Sequence, residues 1–249
     1  MFQKDFATLV HQTTQKCREY FRDRLCATYL TGSINLCEAI KGESDLDYWA
    51  FITGELTAND KMWISKTERY IDDGNDIVDG VHINVRTIEE LRNDKFVRFA
   101  LKYNSTLCYG NDIISEINAS GADMYEPNKI IAKERLLFVR KCLEDAMKNI
   151  CPQCMDKIPG NTYFAARKYA RYFVIIEGAY YLMAINKFET YKQDRVIQQL
   201  KENSTGYNDI LDLSLAVLEN PLESLIKHDD YIVHISLFVK WIFDEIDKI

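Results

Sequence analysis

Asp45 and Asp47, separated by one apolar residue, stand at the head of the run Tyr48-Trp49-Ala50-Phe51-Ile52. On a strand, residues two apart share a face, so these carboxylates point the same way with Cα atoms about 6.6 Å apart. Two carboxylates so arranged suit a hard divalent cation such as Mg²⁺, which takes oxygen ligands. Roughly a dozen residues upstream, Gly32-Ser33 closes a second apolar run. A turn of this kind before a helix offers backbone N–H groups to a phosphate. The two features together describe a metal–triphosphate site, one for the phosphate tail and one for the cation.

Both features need elements to hold them in place. Residues 3–26 read as a helix, with Phe6, Leu9, Val10, Cys17 and Phe21 near one stripe. Residues 27–30 read as a strand running into the Gly-Ser bend, residues 34–40 as a short helix, and residues 45–52 as the strand that carries the acids. A helix over 59–71 follows. The turn signals Asp72-Asp73-Gly74-Asn75 and Asp79-Gly80 come next, and then a strand over 81–85 with alternating polarity. Beyond Thr87 helical patterning dominates. Strands thus gather in the first ninety or so residues and helices in the rest, which is α+β organisation. The expected domains are residues 1–125, a small mixed sheet with helices, and residues 126–249, a helical bundle.

The residues Thr31-Gly32-Ser33 and Ser44-Asp45-Leu46-Asp47-Tyr48 resemble the pattern of the nucleotidyltransferase superfamily that includes DNA polymerase beta. Further along, Val81 to Leu91 looks like the third core strand and following segment of aminoglycoside adenylyltransferases. Phe99 to Asp112 is similar to their helix ending in Leu-x-Gly-x. The apolar run over 170–185, with Asn186-Lys187 and Lys192 after it, is similar to part of their C-terminal helical domain. Streptomycin/spectinomycin adenylyltransferases are the nearest type. The resemblance implies a nucleotidyltransferase head, with ATP as co-substrate held at Gly32, Ser33 and Ser44 and Mg²⁺ on Asp45 and Asp47. A hydroxyl of a small acceptor of the aminoglycoside kind attacks the α-phosphorus, and pyrophosphate leaves from a cleft between the two domains.

The family places a third acid on the neighbouring strand, and here that position holds His82. Three explanations stay open. His82 is itself the general base, an imidazole titrating near working pH. Alternatively, an acid of the helical domain, with Glu177 the candidate, serves the site. In the third case the chain is a catalytically impaired protein of the same fold that binds nucleotide and transfers nothing. Basic residues are dense over 129–171, against the acids Glu38, Glu43, Asp45, Asp47, Glu55 and Asp60 of the head. Arg167, Arg171 and Lys192 are the expected nucleotide contacts; the other basics of that stretch suit a solvated helix face with Ile130, Leu136, Val139, Leu143 and Met147 buried behind it.

The charge balance, 31 basic against 38 acidic side chains, is the wrong sign for a general nucleic-acid binder and compatible with a cationic small substrate. The N-terminal residues carry too many charges for a signal peptide, and the apolar run over 172–185 contains Glu177 and is too short for a bilayer. No membrane partner is therefore expected. Seven irregularly spaced cysteines suit reduced thiols in a cytoplasm. Cys151-Pro-Gln-Cys154 lacks the second pair or nearby histidine that a zinc site needs and reads as two plain thiols. Oligomeric state leaves no mark on the sequence.

Overall fold

The computed structural model describes residues 2–115, 167, 169–219, 228–246 and 248. The chain divides into two compact units, Met1–Ser120 and Gly121–Ile249. The expected boundary at residue 125, the basic run over 129–166 and the Cys151/Cys154 pair lie outside the described residues. The α+β class is confirmed: a four-stranded mixed sheet with helices makes the first unit, and the described part of the second is helical.

In the first unit a 3₁₀ turn, Lys4–Phe6, leads into α1 (Ala7–Phe21). Then follow β1 (Leu25–Leu30), α2 (Gly32–Leu36), β2 (Leu46–Ile52), α3 (Ala58–Asp73), β3 (Val81–Thr87), α4 (Ile88–Asn93), α5 (Lys95–Tyr103) and β4 (Thr106–Gly110). The sheet order is β3-β2-β1-β4. β1 runs antiparallel to both neighbours, whereas β2 and β3 are parallel, with Asp47 opposite His82 and Trp49 opposite Asn84.

Alternation along the strands builds two cores. One face of the sheet buries Leu46, Tyr48, Ala50 and Ile52 of β2 and Val81, Ile83 and Val85 of β3 against Phe6, Leu9, Val10, Cys17 and Phe21 from the N-terminal helices. The other face packs Ala27, Tyr29 and Phe51 against Leu91, Val97 and Leu101 of α4 and α5. A buried hydroxyl relay ties α1 to the sheet: Thr14 Oγ1 lies 2.5 Å from Tyr48 Oη, which donates to Thr28 Oγ1 at 2.7 Å. Each of these hydroxyls thereby keeps a partner, as burial demands.

Three expectations need correction. The first helix ends at Phe21, and Leu25 and Cys26 belong to β1, because backbone pairing with β2 and β4 outweighs the helical periodicity there. The helix expected over 34–40 has only five residues and stops before Cys37, a left-handed residue (φ 63°). Tertiary bonds hold the following loop instead: the Gln3 amide donates to Ala39 O (3.1 Å) and accepts from Ala39 N (3.0 Å). Finally, the segment read as the end of a helix contains β4. Its residues do not alternate between buried and exposed, so only pairing with β1 reveals it. Gly110 makes that pairing possible. Its φ is +87°, and a Cβ there would collide with the Cys26 carbonyl.

In the second unit a π-helical stretch, Ala170–Ile176, continues as α6 (Glu177–Ala184), followed by α7 (Gln193–Asn203), α8 (Asn208–Glu219) and α9 (His228–Ile246). Its core gathers Tyr169, Phe173, Leu182, Leu200, Leu211 and Phe238. Gly178 lets α6 approach Leu200 closely. Among the described residues no helix is long and apolar enough to cross a membrane.

Candidate active site

β1 delivers the chain to Thr31, whose N–H and hydroxyl both donate to the Asp47 carbonyl, at 3.0 and 3.3 Å. Gly32 follows in the left-handed region (φ +70°). A Cβ on Gly32 would overlap the Asp47 carboxylate, lying 3.1 Å from Cγ and 3.2 Å from Cβ. Glycine is needed there twice over, for the backbone angle and for the space. The bend and the second acid are therefore in direct contact, although they are far apart in sequence.

Ser33 is 3% exposed, and its carbonyl accepts from Glu38 N at 2.9 Å. With α2 only five residues long, any phosphate-binding power rests on the N–H groups of the bend itself, since so short a helix has little macrodipole. Ser44 plays another part. Its hydroxyl accepts from Ile40 N (2.9 Å) and its carbonyl from Asp79 N (3.1 Å), which fastens the loops on either side of Asp45.

Asp45 lies just before β2 and Asp47 within it. The Asp45 side chain is half exposed, and Oδ2 stands 3.9 Å from His82 Nε2. That separation is too long for a hydrogen bond. Gly80 lies beside them: a Cβ on it would sit in ordinary van der Waals contact with His82 Nε2 (3.7 Å) and Asp45 Oδ1 (3.8 Å). Asp79 sits in the turn, its N–H spent on Ser44. Among the described residues no three His, Cys, Asp or Glu side chains gather as a metal-binding group.

Gly32, Asp45, Asp47 and His82 thus meet at one end of the sheet, with Ser33 and Ser44 next to them in the chain, while the other four candidates lie in the second unit. Glu177 is fully buried where the π-helical stretch passes into α6. Arg167 is 7% exposed, and its Nε donates to the Leu218 carbonyl at 3.3 Å. Arg171 is half-buried on the π-helical stretch. Lys192 is exposed immediately before α7, its carbonyl accepting from Val196 N at 2.8 Å.

Two of the thiols near the sheet are poor nucleophiles. Burial pushes Cys17 up to about 12, and burial likewise pushes Cys108 up to about 11 against the opposing bonds from Leu30 and Tyr48. Sequence reasoning gave no role to Trp49, Asn84 and Gly80, which lie on or beside β2 and β3 near the acids. The alternation of both strands was the signal that pointed to the first two.

The first unit is thus a mixed sheet with helices on both faces, whose bend after β1 closes on a carboxylate of β2. No protein-family profile matches the sequence, and no curated protein matches it. Among solved structures, the chain is similar to the spectinomycin adenyltransferase AAD(9) from Enterococcus faecialis, crystallised with ATP and spectinomycin. The TM-score is 0.58 and the identity 14%, over 97% of this chain and 99% of that one. That likeness establishes a shared fold.

Proposed function

We propose that the protein is a Mg²⁺-dependent adenylyltransferase that moves AMP from ATP to a hydroxyl of a small acceptor of the aminoglycoside kind, releasing pyrophosphate. The observation that supports this reading is the contact between Gly32 and the Asp47 carboxylate, which brings a bend able to receive an anion next to an acid able to hold a cation. The donor set fits magnesium, since both acids offer hard oxygens and Gly32 leaves the Asp47 carboxylate room that a side chain would fill. Held by Asp45 and Asp47, the cation would neutralise the triphosphate and polarise its α-phosphorus.

The protein's own groups then do the following. N–H groups of the Gly32-Ser33 bend receive the phosphate tail. His82 accepts the proton of the attacking hydroxyl as the new O–P bond forms and the bond to pyrophosphate breaks. Glu177 is the weaker candidate for that proton, because it has no exposed surface. Of the cations in the second unit, Lys192 and Arg171 are proposed to meet the nucleotide; Arg167 is already committed to a backbone carbonyl. The four free cysteines among the described residues, Cys17, Cys26, Cys37 and Cys108, agree with a cytoplasmic setting.

The second reading, nucleotide binding without transfer, is favoured by one observation: among the described residues no third carboxylate joins the acid pair. The test is pyrophosphate release from ATP and Mg²⁺ across a panel of aminoglycosides, spectinomycin included. Transfer to at least one acceptor is expected, with His82→Ala lowering kcat about 100-fold or more. Silence across the panel despite measurable MgATP binding would establish the second reading, and full turnover by the His82 variant would remove the histidine from the chemistry.

A further inference from the structure

The parallel pairing of β2 and β3 gives these strands one face buried along its length and a second face that is open near Asp47, His82 and Asn84 but covered toward Phe51, with Trp49 at the edge of the core formed with α4 and α5. Leu46, Tyr48 and Ala50 alternate with Asp47 and Trp49, and Val81, Ile83 and Val85 alternate with His82 and Asn84. The first set fills the core. The second set forms a shelf on the opposite face, with Asp47 beside His82 and, about 6.6 Å further along the strands, Trp49 beside Asn84.

Trp49 is fixed rather than loose. Its ring stacks on Phe51 (centroids 6.1 Å apart, interplanar angle 12°), and the Arg86 guanidinium lies 5.9 Å from its centroid. Arg86 is itself held by Asp94 at 3.7 Å. Asn84 is exposed beside it. An ordered, half-buried indole next to an exposed amide is an economical way to hold a ring that carries hydroxyl groups. The indole covers the C–H face, and the amide both donates to and accepts from hydroxyls.

The sheet order says which reactant comes here, granted the transfer reaction proposed above. The bend lies at the end of β1, Asp47 lies on β2 with Asp45 just before it, and His82 and Asn84 lie on β3. In-line displacement puts the attacking and leaving oxygens on opposite sides of the phosphorus. With pyrophosphate on the β1 side, the hydroxyl arrives from the β3 side. We infer that Trp49 and Asn84 form the acceptor-binding shelf and that the acceptor is a saturated, hydroxyl-bearing ring, a cyclitol or a sugar, laid on Trp49 with the reacting hydroxyl toward His82.

The experiment compares Asn84→Ala, Trp49→Leu and the unaltered protein in two assays. One is steady-state transfer with the panel. The other is equilibrium binding of spectinomycin and related aminocyclitols by calorimetry, with the non-transferable α,β-methylene analogue of ATP and Mg²⁺ present. Asn84 is exposed, so its variant keeps the fold even if the tryptophan variant does not. Each substitution is expected to weaken acceptor binding or raise acceptor KM about 10-fold, as the loss of one good contact does, with ATP KM within about twofold. A rise in ATP KM at constant acceptor KM would show that the shelf carries the adenine, and unchanged values for both would show that it carries nothing; either result overturns the inference. Acceptor binding that needs both residues, without any transfer, would sustain the shelf and overturn the catalytic reading. No binding of any acceptor by the unaltered protein would overturn both.

Discussion

Asp60 and Asp45 belong to one acidic stretch of the sequence and put the same functional group to opposite uses. Asp60, with its side chain 3% exposed, caps α3 together with Thr57 and takes two hydrogen bonds from Arg24, both 3.1 Å. Burial alone would raise its pKa, but Arg24 and the Thr57 donors outweigh burial and hold it at about 2. Asp45 is half exposed, and among the described residues its ionic neighbour is a histidine at 3.9 Å rather than a lysine or arginine. An acid whose lone pairs are all spoken for stabilises the fold. An acid left half open beside a histidine has capacity for an external cation. Composition counts the two alike, and only their surroundings separate them.

The contrast predicts effects of different size and kind. Asp47→Asn removes a carboxylate from the site end and should cost at least about 100-fold in pyrophosphate release. Its thermal midpoint should move little, since Asp47 is only half-buried. Loss of stability as large as the loss of turnover would place Asp47 with Asp60 as a structural acid. Gly32→Ala should be next, because it forces a Cβ into the Asp47 carboxylate at a positive φ. About 1–3 kcal/mol of stability should be lost, with a fall in MgATP affinity that calorimetry would detect. Retained affinity would mean the bend does not hold the phosphates.

Asp60→Asn should leave turnover nearly untouched and lower stability by about 1–2 kcal/mol at neutral pH. The sign follows from the lowered pKa. The unfolded chain binds the proton more readily, so the contribution is complete above about pH 4 and fades as pH falls toward 2. Denaturant melts of both proteins at pH 7, 4 and 2.5 would show the gap closing; a gap independent of pH would mean the ion pair with Arg24 contributes nothing.

Much of the head was legible because its signals are local. The run after Asp47 and the alternation of Val81 to Val85 report strands through side-chain polarity, and Thr57 and Thr87 both start helices with capping boxes that can be read three residues ahead. What escaped was decided at a distance. β4 has no alternation of its own and exists by virtue of β1. α2 stops at the left-handed Cys37, and the loop after it is held by Gln3, 36 residues before Ala39, through its bonds to Ala39. Ser44 reads as part of a nucleotide motif, yet its hydroxyl is occupied by Ile40 N–H.

The sequence by itself determined which chemistry was available: a glycine–serine bend, two alternate aspartates, a histidine where the related pattern has an acid, and a helical second half. Each of these is a matter of residue type and short spacing, which the covalent chain dictates. Tertiary structure alone decided that Gly32 rests on Asp47, that His82 faces Asp45, and that Trp49 and Asn84 line the same shelf, because strand pairing between distant segments sets which side chains become neighbours. Short-range periodicity carries no information about that register.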